Sequence, residues 1–177
     1  MLRPRLTLVL VSVALTAVSA AADPAAAVAS APLSARLRPQ SPRVATWLTR
    51  GLERSPTMRA LAQQVERGDV IVYLEIAFAL DPGVAACVTW MAASPSTRYV
   101  RVSLRPDLRE ADAVAMLAHE LQHVVEVIDH PEVTSSAALA ALYMRIGRRT
   151  GVKGVAWDTL AALRAGDSAR LEIVSGT

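Results

Sequence analysis

Two histidines flank a glutamate in the order H-E-x-x-H at His119, Glu120 and His123, within a stretch, 116–132, that also holds the last of the chain's 3 histidines, His130. On an α-helix, side chains four residues apart lie one above the other, so the two imidazoles can turn their nitrogens towards one point. Two imidazoles so placed are half of a binding site for a divalent transition metal. A carboxylate beside them can touch water near the ion without binding the ion. Hydrolytic zinc chemistry divides its labour in that way, the ion lowering the pKa of water and the carboxylate accepting the proton. The spacing therefore makes His119 and His123 candidate ligands for Zn2+, and Glu120 the candidate general base.

The element that must carry this pattern is a helix. After Pro106 the sequence predicts one, with Asp107 and Glu110 as a capping box, apolar periodicity to Ile128 and a stop at Pro131. At 100° per residue, Leu117, Leu121, Val124, Val125 and Ile128 fall on one side and form a core stripe. Asp112, Met116, His119, His123 and Glu126 fall on another. Glu126, one turn beyond His123, is placed either to hydrogen-bond a ligand imidazole, fixing its tautomer, or to face solvent. His130 is a helix-end histidine, and Tyr143 is expected in a helix core.

The segment "AHELQH" on a long helix behind a small sheet resembles the active-site helix of zincin metallopeptidases. The resemblance implies zinc ligation by His119 and His123, with Glu120 as general base and acid. It leaves the third ligand open. In the metzincin branch the motif continues x-x-G-x-x-H, or ends in Asp as in snapalysin-like enzymes. Asp129 falls at that count, but Glu126 occupies the glycine position, and a helix that continues carries Asp129 about 100° away from the histidines. In the gluzincin and aspzincin branches a carboxylate on a later helix completes the site. Here "VAWDTLAALRAGDSARLEI" offers Asp158, with small Ala161 and Ala162 after it to permit close packing. That stretch resembles the E-T-x-x-A pattern of small exported HExxH proteins, with Asp for Glu. Asp at a helix start also serves as an N-cap, so ligation and capping are both open for Asp158. Glu126 or a water is the remaining alternative.

Ahead of the motif helix, 41–69 places apolar residues at helical intervals on both sides of Pro56, giving two helices or one broken helix, stopped by Gly68. Three strand-like segments follow, "VIVYLEIAFAL", "ACVTWMA" and "RYVRVSLR", punctuated by "DPG" and "SPS". The third alternates most cleanly, which favours an antiparallel sheet covered on one face. Two helices over roughly 132–149 and 157–174 close the chain, with Arg145, Arg148 and Arg149 clustered at the end of the first. The expected class is α+β: a zincin-like domain with a short, largely antiparallel sheet packed on the central HExxH helix and further helices.

The N-terminus has the three parts of a secretory leader: Arg3 and Arg5, an uncharged apolar run over 6–18, and small residues before Asp23. The run is shorter than the roughly 20 residues a bilayer span needs. The reading is a leader over 1–22, a flexible Ala/Pro-rich linker over 23–42, and a metallohydrolase domain over 43–177. Cleavage after Ala20 or Ala22 gives a secreted or periplasmic protein with no stable membrane span; uncleaved, the run would serve as an anchor. Of 19 basic residues against 16 acidic, the leader takes two, leaving a nearly neutral chain. With that balance and no aromatic-basic interleaving, no nucleic-acid surface is expected. Cys87, the lone cysteine, rules out an internal disulfide and is expected to be a small buried hydrophobe.

The function these features imply is a zinc-dependent hydrolase, a metallopeptidase acting on peptide or protein substrates, with "RYVRVSLR" as an edge to which an extended peptide adds. The alternative is a non-catalytic binding module of the cell envelope that keeps the same scaffold.

Overall fold

The computed structural model describes residues 34–150 and 156–176. The expected leader, its cleavage boundary and the "TGVKG" connection fall wholly or mostly outside the described residues. Among the described residues, five helices and a small mixed sheet make an α+β fold. The elements are β1 (Leu37–Pro39), α1 (Pro42–Arg54), α2 (Pro56–Arg67), β2 (Val70–Ile76), β3 (Ala86–Ser94), β4 (Thr97–Leu104), α3 (Glu110–Ile128), α4 (Ser136–Ile146), β5 (Arg148–Thr150), β6 (Ala156–Asp158) and α5 (Leu160–Ser175). No helix among the described residues is long and apolar enough to cross a membrane.

Most helix starts follow from sequence. Ser41, Ser55 and Ser135 accept a hydrogen bond from the backbone amide three residues on, and α1 and α2 begin on prolines whose missing N–H costs nothing there. The motif helix α3 departs from expectation. Its N-cap is Arg109, which makes no side-chain capping bond, because Asp107 is held by the Arg105 guanidinium at 2.7 and 3.0 Å instead of capping the helix. Glu110 and Asp112 in the first turn face the positive end of the helix dipole and offset part of that loss.

The sheet order is β1-β2-β4-β3, with β1 and β4 parallel to β2 and only β3 antiparallel to β4. The largely antiparallel sheet is thus corrected to a mixed one. The β3–β4 hairpin folds back so that β4 slots between β2 and β3, where its Val100, Val102 and Leu104 lie fully buried beside Val70, Val72 and Leu74. Alternation correctly marked one covered face, but it says nothing about which neighbours a strand takes. β4 is central, and the free edge beside the motif helix is β3. At the other edge β1 lies inside the stretch expected as linker, with Leu37 buried, so ordered chain begins before Ser41.

α3 runs through the middle of the molecule, packed on α5, α2, α1 and the sheet, and is buried on both the apolar and the histidine side. Its C-terminal end is pinned by Arg98 from the start of β4. That guanidinium is 4% exposed, donates to the carbonyls of Val127 (2.7 Å), His130 (2.8 Å), Val133 (3.3 Å) and Ile128 (3.4 Å), and pairs with both oxygens of Asp69 at 2.7 and 2.8 Å. A cation there satisfies the carbonyls a helix end leaves open and suits the dipole. The Glu172 carboxylate ties α5 to the start of α2 by accepting from Thr57 Oγ1 at 2.7 Å and from Ser55.

The C-terminal third corrects two boundaries. α4 ends at Ile146 because Gly147 turns the chain extended, and a Cβ there would lie 2.6 Å from the Tyr143 carbonyl oxygen. Arg148 and Arg149 therefore belong to β5, which pairs antiparallel with β6. Asp158 ends β6 rather than opening the last helix, and Thr159 is the N-cap of α5, accepting from the Ala162 amide.

Candidate metal centre

His119 and His123 sit one turn apart on α3 with their rings edge to face, centroids 5.0 Å apart. α5 approaches this turn closely because it offers small residues. Ala162, Ala165, Gly166 and Ala169 are buried along it, whereas Ala161, expected at the contact, is exposed. At Gly166 a Cβ would come within 3.2 Å of the Ala115 carbonyl and 3.4 Å of the His119 side chain. This approach carries Asp158, one residue before the helix cap, over the two imidazoles.

The outcome is a three-donor cluster. Asp158 Oδ1 lies 3.2 Å from His119 Nε2 and 3.5 Å from His123 Nε2, and the three donor atoms all lie within 4.8 Å of one another. Tetrahedral bonds of roughly 2.0–2.1 Å, those of zinc to nitrogen and oxygen, would set ligand atoms about 3.3 Å apart. Asp158 Oδ1 is also the one buried side-chain polar atom among the described residues without a hydrogen-bond partner. Two imidazoles and a carboxylate whose buried oxygen accepts no hydrogen bond are three donors that fit a divalent transition metal with an open fourth position. The capping reading of Asp158 falls away, since Thr159 caps the helix. Asp129, the rival ligand, closes α3 as its C-cap, because the helix continues through Glu126 to Ile128.

Behind the cluster stand further fixed groups. His123 Nδ1 lies 2.8 Å from Glu126 Oε2, and Glu126 Oε1 accepts from the Thr159 hydroxyl at 2.5 Å. Glu126 is thus buried and occupied, neither a surface glutamate nor a third ligand. Tyr143 is buried as expected, and its hydroxyl donates to the His123 carbonyl oxygen at 3.0 Å. His130 stays at the helix end beside Glu132 and Arg145.

Glu120 faces the same cleft, 4% exposed. Burial pushes its carboxyl above the usual carboxylate range, with Asp158 and Glu126 adding to the shift and the two imidazoles opposing it. Asp158 moves the other way: burial raises it, but His119 and His123 outweigh burial and hold it well below that range. Burial pulls His123 down while Asp158, Glu126 and Glu120 push it up, to about 9. Three carboxylates around two imidazoles demand positive charge. A proton on His123 meets part of that demand, and a divalent cation would meet more of it.

The cleft over this cluster measures about 820 Å³. β3 forms one wall, Trp157, Leu163 and Tyr143 contribute others, and the 79–85 loop closes one end. Cys87 lines it from β3, half-buried rather than in the core. Burial raises its thiol pKa, and the Glu120 carboxylate adds to that. The apolar segment around Cys87 pointed to the interior, but its neighbours are the walls of a cleft. Thr159 matched the T of the E-T-x-x-A pattern but was given no role, and Gly166 was not singled out from sequence. The signals were present in a Thr opening an alanine-rich helix and a glycine inside it. Compared with known proteins, the chain matches no family model, no curated protein and no solved structure.

Proposed function

We propose that this chain is a zinc-dependent hydrolase that cleaves peptide bonds, with His119, His123 and Asp158 holding the ion and Glu120 moving the proton. The convergence of two Nε2 atoms on the buried Asp158 Oδ1 carries the reading. When bound there, zinc supplies Lewis acidity and a lowered water pKa. Glu120, on the same turn as both histidines and raised by burial, is suited to take a proton from water and return it to the leaving amine. The free edge of β3 along the cleft gives an extended chain main-chain partners without demanding a sequence, which favours a peptide as substrate. β3 thus takes the role expected of "RYVRVSLR", whose β4 is enclosed by two strands. The zincin resemblance and the expected leader fit an exported enzyme of this kind.

The test is Glu120→Gln in the full chain, with zinc content and hydrolysis of an unstructured peptide library measured together. The expected result is unchanged zinc and turnover reduced by about 10²–10⁴-fold, the usual worth of general acid–base catalysis. Unchanged turnover, or zinc content unaffected by His119→Ala, overturns the reading and leaves the binding-module alternative.

A further inference from the structure

His123 is held from two directions at once. Its Nδ1 faces Glu126 Oε2 at 2.8 Å, which leaves Nε2 directed at Asp158 Oδ1. Glu126 turns its other oxygen to the Thr159 hydroxyl at 2.5 Å, and Thr159 Oγ1 in turn accepts from the Ala162 amide at 3.1 Å. All three residues are buried, at 6% exposure for His123, 9% for Glu126 and 5% for Thr159. Thr159 follows Asp158 directly in the chain. One dipeptide at the start of α5 therefore supplies both a candidate ligand and the far end of a hydrogen-bond chain to a second candidate ligand on α3.

We infer that Thr159 and Glu126 form a positioning relay, which fixes the His123 tautomer with Nδ1 protonated and locks Asp158 in register with the Nε2 lone pair. A carboxylate accepts from both neighbours, so a hydroxyl donor on one side and an imidazole N–H on the other satisfy it, and the imidazole has one orientation left. Neither residue touches the ion or substrate in this scheme. Thr159 has a second task as the α5 cap, and the two tasks separate by substitution. Serine keeps both the cap and the donor. Aspartate keeps the cap, ranking with serine at that position, but has no proton to donate and sets a second carboxylate against Glu126.

The inference rests on the metal reading, and the experiment keeps the two apart. Zinc affinity of the full chain is measured by chelator competition, and the visible spectrum of the cobalt-substituted protein reports ligand geometry, alongside a thermal melt. Glu126→Gln is expected to weaken zinc binding 10- to 100-fold, the range for an outer partner of a metal-bound histidine, and to shift the cobalt spectrum. Thr159→Asp should weaken it in the same sense, and Thr159→Ser should match wild type. Thr159→Val added to Glu126→Gln should cost little further affinity, because the chain is already cut. Wild-type affinity and spectrum in Glu126→Gln, or Thr159→Asp indistinguishable from Thr159→Ser, overturns the relay while leaving the metal site intact. Failure of wild type to bind zinc overturns both. If Glu126→Gln does not fold, the Thr159 pair decides the question.

Discussion

Arg98 and Asp158 are both charged side chains drawn against α3, one at its C-terminal end and the other beside its middle. Around Arg98 every demand is met: four carbonyls and a bidentate carboxylate surround the guanidinium, and its charge is balanced by Asp69. Around Asp158 the accounts stay open. Two further carboxylates, Glu120 and Glu126, share the space with two imidazoles, and Oδ1 is buried without a hydrogen bond. A closed cluster of charges serves the fold, because breaking it leaves a buried charge unpaired. An open one keeps a buried acceptor and negative charge that a bound cation would satisfy. The difference separates a structural ion pair from a candidate ligand site, although both are charged and drawn against the same helix.

Substitutions can break that comparison at either end. The largest effect is expected at the open cluster: His119→Ala or His123→Ala should weaken zinc binding by more than the 10- to 100-fold of an outer-partner loss, as read by chelator competition. At the closed cluster, Arg98→Met should destabilise by about 1–3 kcal/mol in urea titration, with or without zinc, since it leaves buried helix-end carbonyls without a donor while Asp69, 44% exposed, turns to water. If Arg98→Met instead spares stability and lowers zinc affinity, the two clusters are not distinct in the way described.

Asp158→Asn sharpens the contrast. In zinc-free protein its melting temperature should fall below that of wild type, because the carboxylate that the two imidazoles hold in its charged form is lost. The rise in melting temperature that zinc gives wild type should largely disappear. A smaller effect concerns acid. Asp69 is held below the usual carboxylate range by hydrogen bonds from Arg98, against the opposing effect of burial. A depressed carboxyl contributes stability that is present above its unfolded pKa, about 4, and is lost as pH falls through the folded value. Asp69→Asn should therefore be less stable than wild type at neutral pH and converge on it as pH falls through the folded value, as followed by urea unfolding. The smallest effect is expected for Asp129→Ala, with zinc affinity within about 2-fold of wild type, because Asp129 caps α3 away from the cluster.

The sequence revealed most where the relevant contacts are local. Helical period alone places His119, Glu120 and His123 on one turn and sorts Leu117, Leu121 and Val124 into the core, and serine followed by proline announces α1 and α2. Asp158 could be named as a candidate, but its partners lie on another helix. A shift of one residue in the helix start moved the cap from Asp158 to Thr159. β5 and β6 are three residues each, too short for a periodic signal, and only Gly147 marked the break. The sheet's handedness of pairing was hidden for a different reason. Alternation records which side of β4 is buried and is silent on β2 lying along its second edge, in parallel.

The two halves of the candidate centre bracket α4 and the β5–β6 hairpin in the chain. An ion held by His119 and His123 on one side and Asp158 on the other would close that whole segment into a loop, as a covalent crosslink does, and remove part of the entropy it gains on opening. The segment's opening should then respond to zinc more than the sheet does. Amide exchange in α4 and the hairpin should accelerate on chelation while β2 and β4 exchange as before, so the ion would govern how far the cleft's outer wall breathes as well as the chemistry within it.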